Sequence, residues 1–273
     1  VLKLIKDGWN IAWRQPFAVL TLFIYNLLWG LALFKMVYSI IVPLLHRYPS
    51  ASLGREATQL FWIESQFRLT KTDMLHSYLW LGFGLLAARM LLTPLINAGL
   101  YYSLHHTLLN SGYRFVHGIR QLFFPYLGLY ALQIALSLAP LYWLAPEAAH
   151  ILSTHYTYES IVQSLLPIIS VYLLYGYLLR LVCMYVQFAL ADGSSAWSGM
   201  FTMLRGLLPA VSVSVIMLLI GAVLTVTVLS VSLIWAGFFA LILYQLYRLA
   251  NVFCRVWSIA SQYRIWLAKT DTL

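Results

Sequence analysis

The chain has 273 residues, of which 62% are hydrophobic and 9% charged, and its formal charge is +9. An ordinary soluble domain is about 45–50% apolar and about 25% charged, so this composition excludes a soluble globular domain and a disordered chain. Lys and Arg outnumber Asp and Glu 17 to 8, and they cluster at the ends of apolar runs. That placement points to an anionic membrane surface as their partner and not to nucleic acid.

The opening VLKLIKDGWN has no basic-then-apolar signal followed by a small-residue cleavage site, so the apolar run from Phe17 is expected to stay as an anchor. Residues 2–14 predict an amphipathic helix. Leu2, Ile5, Trp9 and Trp13 follow helical spacing, with Lys3, Lys6 and Asp7 on other faces, and paired tryptophans beside a span suit the headgroup region. A span needs about 20 mostly apolar residues. The first is predicted at 17–39, followed by a second amphipathic segment at 55–76. Further spans are predicted at 78–102, 122–144 and 161–189, with a third amphipathic segment at 195–206. The apolar stretch from Leu207 to Phe253 is far too long for one span and must hold two, at 207–228 and 233–253. The small polar run Ser230-Val231-Ser232 is the expected reversal.

The fold class is therefore all-α: a single polytopic membrane domain of six helices over 1–273, arranged as three hairpins with short interfacial helices. Lys3, Lys6, Arg14, Arg114, Arg120, Arg205, Arg255, Arg264 and Lys269 lie on one predicted side, and the segment at 146–159 has no Lys or Arg. Both termini are expected in the cytoplasm of a bacterial cell. The first external loop departs from this rule, with Arg47, Arg55, Arg68 and Lys71 in it. Cys183 and Cys254 form no CxxC or CxxH motif, and no disulfide framework is expected.

Three segments share one design. GWNIAWRQPFAVL, HGIRQLFFPYLGL and GMFTMLRGLLPAV each run from Gly through an amphipathic stretch to Arg, then Pro, then an apolar span. The prolines are Pro16, Pro125 and Pro209, and the first turn of a helix tolerates Pro because its missing N–H has no partner there anyway. Arg14, Arg120 and Arg205 are expected to reach lipid phosphate while their stems lie along acyl chains. With its DGWNIAWRQP opening and SSAWSGMFTMLRGLLP turn, the chain resembles the six-helix membrane domain of bacterial glycerophosphodiester phosphodiesterases. It also resembles related standalone Gram-positive membrane proteins that lack an assigned activity. The soluble catalytic domain of those phosphodiesterases has no counterpart in this sequence. The resemblance thus implies a membrane-embedded, non-catalytic role.

Arg89 stands in the middle of a predicted span, in LAARMLLTPLINAG. A charge at bilayer depth costs about 2.5–3.5 kcal/mol on insertion scales. Stepping by four gives Arg89, Thr93, Asn97, Tyr101 and His105 along one helix face, with Pro94 interrupting the helix. None of the eight acids falls inside a predicted span, and Lys35 is a second cation in the outer half of the first. Two readings stay open. Arg89 receives an anion such as a lipid phosphate, with Lys35, Thr93 and Asn97 around it, or it bonds to carbonyls, Gln133 or Glu159 and ties helices together. Arg180 and Arg248 are expected to snorkel at span ends. His46, His76, His150 and His155 match no ligand spacing, so no metal and no cofactor is expected. No Walker, GxSxG, HExxH or GxGxxG motif occurs.

The expected function is transporter-like or lipid-interacting, directed at an anionic lipid or small anionic amphiphile. The alternatives are an accessory or scaffold subunit of a membrane complex and an intramembrane lipid enzyme. Phospholipid is the expected partner, with a protein partner or a second copy of the chain as the further class.

Overall fold

The protein is described by a computed structural model covering residues 1–45, 63, 74–107, 109–154, 157–234 and 237–270. It divides into two compact units: Val1–Leu20 with Pro94–Leu273, and Thr21–Thr93. Among the described residues the secondary structure is helical, without strands. In chain order the helices are α1 (Leu2–Trp13), α2 (Pro16–Leu45), α3 (Met74–His105), α4 (Ser111–Leu138), α5 (Leu141–Thr154), α6 (Tyr158–Asp192), α7 (Ala196–Arg205), α8 (Leu207–Ile234) and α9 (Phe238–Thr270).

Five segments are long and apolar enough to cross a membrane: Pro16–Ser39, Tyr78–His105, Ser111–Thr154, Glu159–Asp192 and Leu207–Ser232. They mark a multi-pass membrane protein. In hydrocarbon only a helix or a closed barrel satisfies its own backbone, and the exposed faces of these helices are correspondingly apolar, as at Phe34, Leu166, Val171, Leu173 and Val223. The sixth expected span, 233–253, lies mostly in α9 and does not join this set. Gln245, Arg248 and Asn251 interrupt its apolar run.

Local sequence accounts for the helix ends. Pro16 opens α2 and Pro209 lies in the first turn of α8, where a missing N–H costs nothing. The Ser195 side chain caps α7 by accepting from the Ser198 N–H at 3.3 Å. Gly193, at φ 80°, closes α6, and the Ser194 N–H reaches back to the Ala189 carbonyl at 2.9 Å.

Several boundaries differ from the sequence expectation. Helix α8 continues through Ser230–Ser232 to Ile234, so the chain does not reverse there, and Gly237, at φ 100°, stands immediately before α9. Ser232 stays helical because its hydroxyl donates to the Leu229 carbonyl, which satisfies it locally inside a helix. The span expected at 122–144 ends as α4 at Leu138, and most of 146–159, expected as a loop, is helix α5 up to Thr154. Pro140, which cannot donate to the α4 ladder, stands at the break. The amphipathic segments expected at 2–14 and 195–206 form α1 and α7. The one expected at 55–76 lies almost wholly outside the described residues. The segment before Pro125 is not a separate short helix, because Arg120 and Pro125 both sit inside continuous α4.

In the larger unit one packing arrangement occurs three times. Gly8 of α1 lies on Ser261 of α9, Gly118 of α4 on Tyr102 of α3, and Gly199 of α7 on Tyr185 and Val186 of α6. A Cβ at Gly8 would stand 2.7 Å from the Ser261 Cα, and one at Gly199 would stand 2.9 Å from the Val186 Cα. Only a residue without a side chain permits that approach. Each of these three receiving helices also bonds to a second part of the chain. Gln15 and Ser103 exchange two hydrogen bonds, at 2.9 and 2.6 Å. Tyr126 donates to the Gln187 carbonyl at 2.6 Å. Gln262 donates to the Ala210 carbonyl and to the Ser214 hydroxyl, each at 2.8 Å. The face that α1 buries is thus Ile5, Gly8 and Ala12, against α9, while Trp9 and Trp13 stay exposed.

Candidate anion-binding cleft

Three helix faces of the larger unit converge on a cleft of about 250 Å³ with a mixed polar and apolar lining. Tyr177, Arg180, Leu181 and Met184 of α6 fall at helical spacing along one stripe. Ser214, Met217, Leu218 and Gly221 do the same on α8, and Asn251, Cys254, Arg255, Ser258 and Ile259 on α9. Two guanidiniums and four neutral side chains with donors therefore share one recess, and no carboxylate lines it.

The Tyr177 hydroxyl is buried, with no surface open to the cleft and no hydrogen-bond partner among the described residues. Ser214 accepts from Gln262 at 2.8 Å, so its own proton remains for another acceptor. Gln262 is fully buried, and its carbonyl oxygen accepts from Tyr185 at 3.0 Å. This pairing holds the cleft wall of α8 against α9.

The chain matches no protein-family model, no curated protein and no solved structure. Its functional reading rests on its own residues.

The residues that the sequence singled out lie elsewhere. Arg89 is exposed on α3, its guanidinium 5.9 Å from the centre of the Trp29 ring. Thr93 donates to the Arg89 carbonyl at 2.7 Å and also pairs with the Tyr25 hydroxyl at 2.9 Å. Lys35 is exposed on α2, and no hydrogen bond or ion pair brings it to Arg89 among the described residues. Asn97 is half-buried in the other unit. Arg14, Arg120 and Arg205 are all exposed, as contacts to lipid phosphate require. Among the described residues no three His, Cys, Asp or Glu side chains come together as a metal site would need. Both cysteines are free thiols.

Sequence reading took Arg180 for a snorkelling residue and Arg255 only for a marker of orientation. One signal did point to them: Asn251, Arg255, Ser258 and Gln262 form a polar stripe at helical spacing on a helix with an otherwise apolar start.

Two further polar clusters tie helix ends together. Arg114, only 4% exposed, donates to the carbonyls of Thr107 and Arg14 at 3.1 and 2.8 Å and to the side chain of Gln15 at 2.9 Å. It thereby satisfies the backbone where α1 ends and α2 begins. His105 of α3 lies 3.2 Å from Asp192 of α6 and 3.0 Å from the Tyr263 hydroxyl of α9. Burial pushes the Tyr263 phenol up to about 12, so it keeps its proton and the contact stays a neutral hydrogen bond on that side.

Proposed function

We propose that the chain is a non-catalytic integral membrane protein that handles an anionic lipid or a small anionic amphiphile. In this reading it has six spans in three hairpins, sits in a bacterial cytoplasmic membrane and keeps both termini in the cytoplasm. The cleft of α6, α8 and α9 carries the proposal: Arg180 and Arg255 line it with Tyr177, Ser214, Asn251 and Ser258, and neither Asp nor Glu is among its lining residues. Guanidinium is the side chain best suited to hold phosphate oxygens, with five donors in a planar fork. The five apolar segments support the same reading. Arg89, with Lys35, Thr93 and Asn97, is the second candidate contact.

The test is native mass spectrometry of the full chain extracted in mild detergent. Anionic phospholipid is expected to co-purify and to be lost from the double variant Arg180→Gln with Arg255→Gln. Arg89→Gln is expected to retain it and to lose only a contact with Trp29 worth about 0.5–1 kcal/mol. Retention by the double variant with loss from Arg89→Gln would move the site to Arg89. A stoichiometric protein in place of lipid would favour the accessory-subunit reading, and turnover of added lipid the enzyme reading.

Orientation is tested by cysteine labelling in a background lacking Cys183 and Cys254. An impermeant reagent applied to intact cells is expected to label Leu152→Cys and to spare Thr270→Cys. The opposite pattern would invert the topology.

A further inference from the structure

A second recess lies in the larger unit, walled by α1, the first turns of α2 and parts of α8 and α9. It is an open groove of about 860 Å³. Its lining is aliphatic and aromatic apart from the Cys254 thiol, and no charged side chain belongs to it. Along α9 the lining runs from Leu246 to Trp257, roughly 16 Å at 1.5 Å per residue. One leaflet of the hydrocarbon core is about 15 Å deep, so the groove has the depth of a leaflet.

The part of the groove beside α1 is aromatic. Trp9 meets Trp257 and Phe253 edge-on, with ring centres 4.7 and 4.9 Å apart, and the Trp13 ring lies 5.4 Å from that of Phe253. Trp257 is fixed there by donating to the Ile5 carbonyl at 2.8 Å. Trp9 and Trp13 are exposed, and their indole N–H groups donate to no described residue. Tryptophan in that state suits the headgroup boundary, with its ring in hydrocarbon and its N–H on a lipid oxygen. Arg14 follows Trp13 and is exposed, and its long side chain suits a lipid phosphate.

Volume selects the occupant. Spread over its length, the groove has a mean cross-section of about 50 Å². A helix with its side chains is about 10–12 Å across and needs on the order of 80 Å², so a partner helix does not fit. A methylene takes about the space of a liquid water, about 30 Å³. The groove therefore has room for almost thirty of them, or two chains of about 14 carbons.

We propose that this groove holds both acyl chains of one phospholipid, with the glycerol esters at Trp9 and Trp13 and the phosphate at Arg14. The site reads chains and phosphate, not net charge, and so stands apart from the cleft of α6, α8 and α9.

The experiment strips the full chain of lipid in maltoside and titrates it with dimyristoyl phosphatidylcholine, read by native mass spectrometry. One tightly held molecule per chain is expected. The probe has no net charge, so the double variant Arg180→Gln with Arg255→Gln should bind it as wild type does, whatever becomes of the anionic-amphiphile reading. Ala250→Phe and Leu249→Trp fill the groove and should each weaken binding about tenfold or more. Leu166→Trp, on an exposed face of α6, should leave it unchanged. Arg14→Gln should weaken it about threefold, the worth of an exposed ion pair.

The same lipid carrying a mid-chain diazirine locates the site in the wild-type chain, so the test survives misfolding of a variant. Adducts within residues 9–20 and 246–257 that saturate at one per chain are expected. Adducts that spread over α6 and never saturate would overturn the proposal, leaving only ordinary surrounding lipid. Undiminished binding in both groove-filling variants would overturn it too. A dimer that those variants abolish would assign the groove to a second copy of the chain instead.

Discussion

Replacing Arg114 with Met should lower the melting temperature of the detergent-solubilised protein by on the order of 10 °C. Among the described residues Arg114 carries no ion pair. Its three hydrogen bonds end on the Thr107 carbonyl, the Arg14 carbonyl and the Gln15 side chain. Gln15 is itself buried and bonded to Ser103, so the cluster joins the α1–α2 junction to the end of α3 and the start of α4. Methionine fills similar space but leaves two carbonyls without their donor, each costing about 1–3 kcal/mol if water cannot reach it. Arg114→Lys should recover only part of the loss, because an ammonium on a single stem cannot span three acceptors as a fork does. Thermal unfolding of the two variants checks this. A melting point for Arg114→Met within a degree of wild type would show that the latch contributes nothing.

The second large effect is expected at the glycines that permit close approach. Gly8→Ala and Gly199→Ala should each cost about 1–3 kcal/mol, the usual range for overpacking. At both sites the crowded atoms include backbone: the Cα and N of Ser261 at 2.7 and 2.8 Å, and the carbonyl oxygen of Tyr185 and Cα of Val186 at 2.7 and 2.9 Å. No rotamer change relieves such contacts, so the helices must separate. Gly118→Ala meets the ring carbon Cγ of Tyr102 at 2.8 Å and the Ala98 carbonyl at 3.1 Å, and belongs to the same class. Gly128→Ala is the control. It meets nothing within 4 Å in mid-α4, and exchanging Gly for Ala in a helix gains up to about 1 kcal/mol. Opposite signs at Gly8 and Gly128, measured by unfolding, would establish that packing and not helix propensity governs α1. Equal shifts would refute it.

Residues with a strong local signal were legible from the sequence, and those that depend on facing surfaces were not. The apolar runs from Phe17, Tyr78 and Leu207 declare helices long enough to cross a membrane, because the bilayer imposes a length that composition alone reveals. Helix α7 could be read from Ser195, a capping residue, through the amphipathic stretch that ends at Arg205. The turn before α9 was misplaced because two serines, Ser230 and Ser232, read as a break, whereas serine in an apolar helix bonds to its own carbonyls. Gly237, the residue able to take φ 100° there, was the better signal. Arg89 drew attention because charge inside an apolar run is visible in one dimension. Arg180 and Arg255 sit nearer span ends, where a cation is ordinary. Their significance comes from α6, α8 and α9 turning the same stripe toward one point, which no single helix encodes.

The seating of α1 on α9 sets a schedule for biogenesis. Gly8 is made before all five apolar segments, and its counterpart Ser261 emerges only after the last of them has been synthesised. At about 5–20 residues per second the delay is on the order of tens of seconds. Throughout that interval Ile5, Gly8 and Ala12 have no helix to cover them, while Trp9 and Trp13 can rest among lipid headgroups. The membrane surface then acts as a waiting room for the first helix, and its final docking is a proofreading step that only a fully inserted chain can pass.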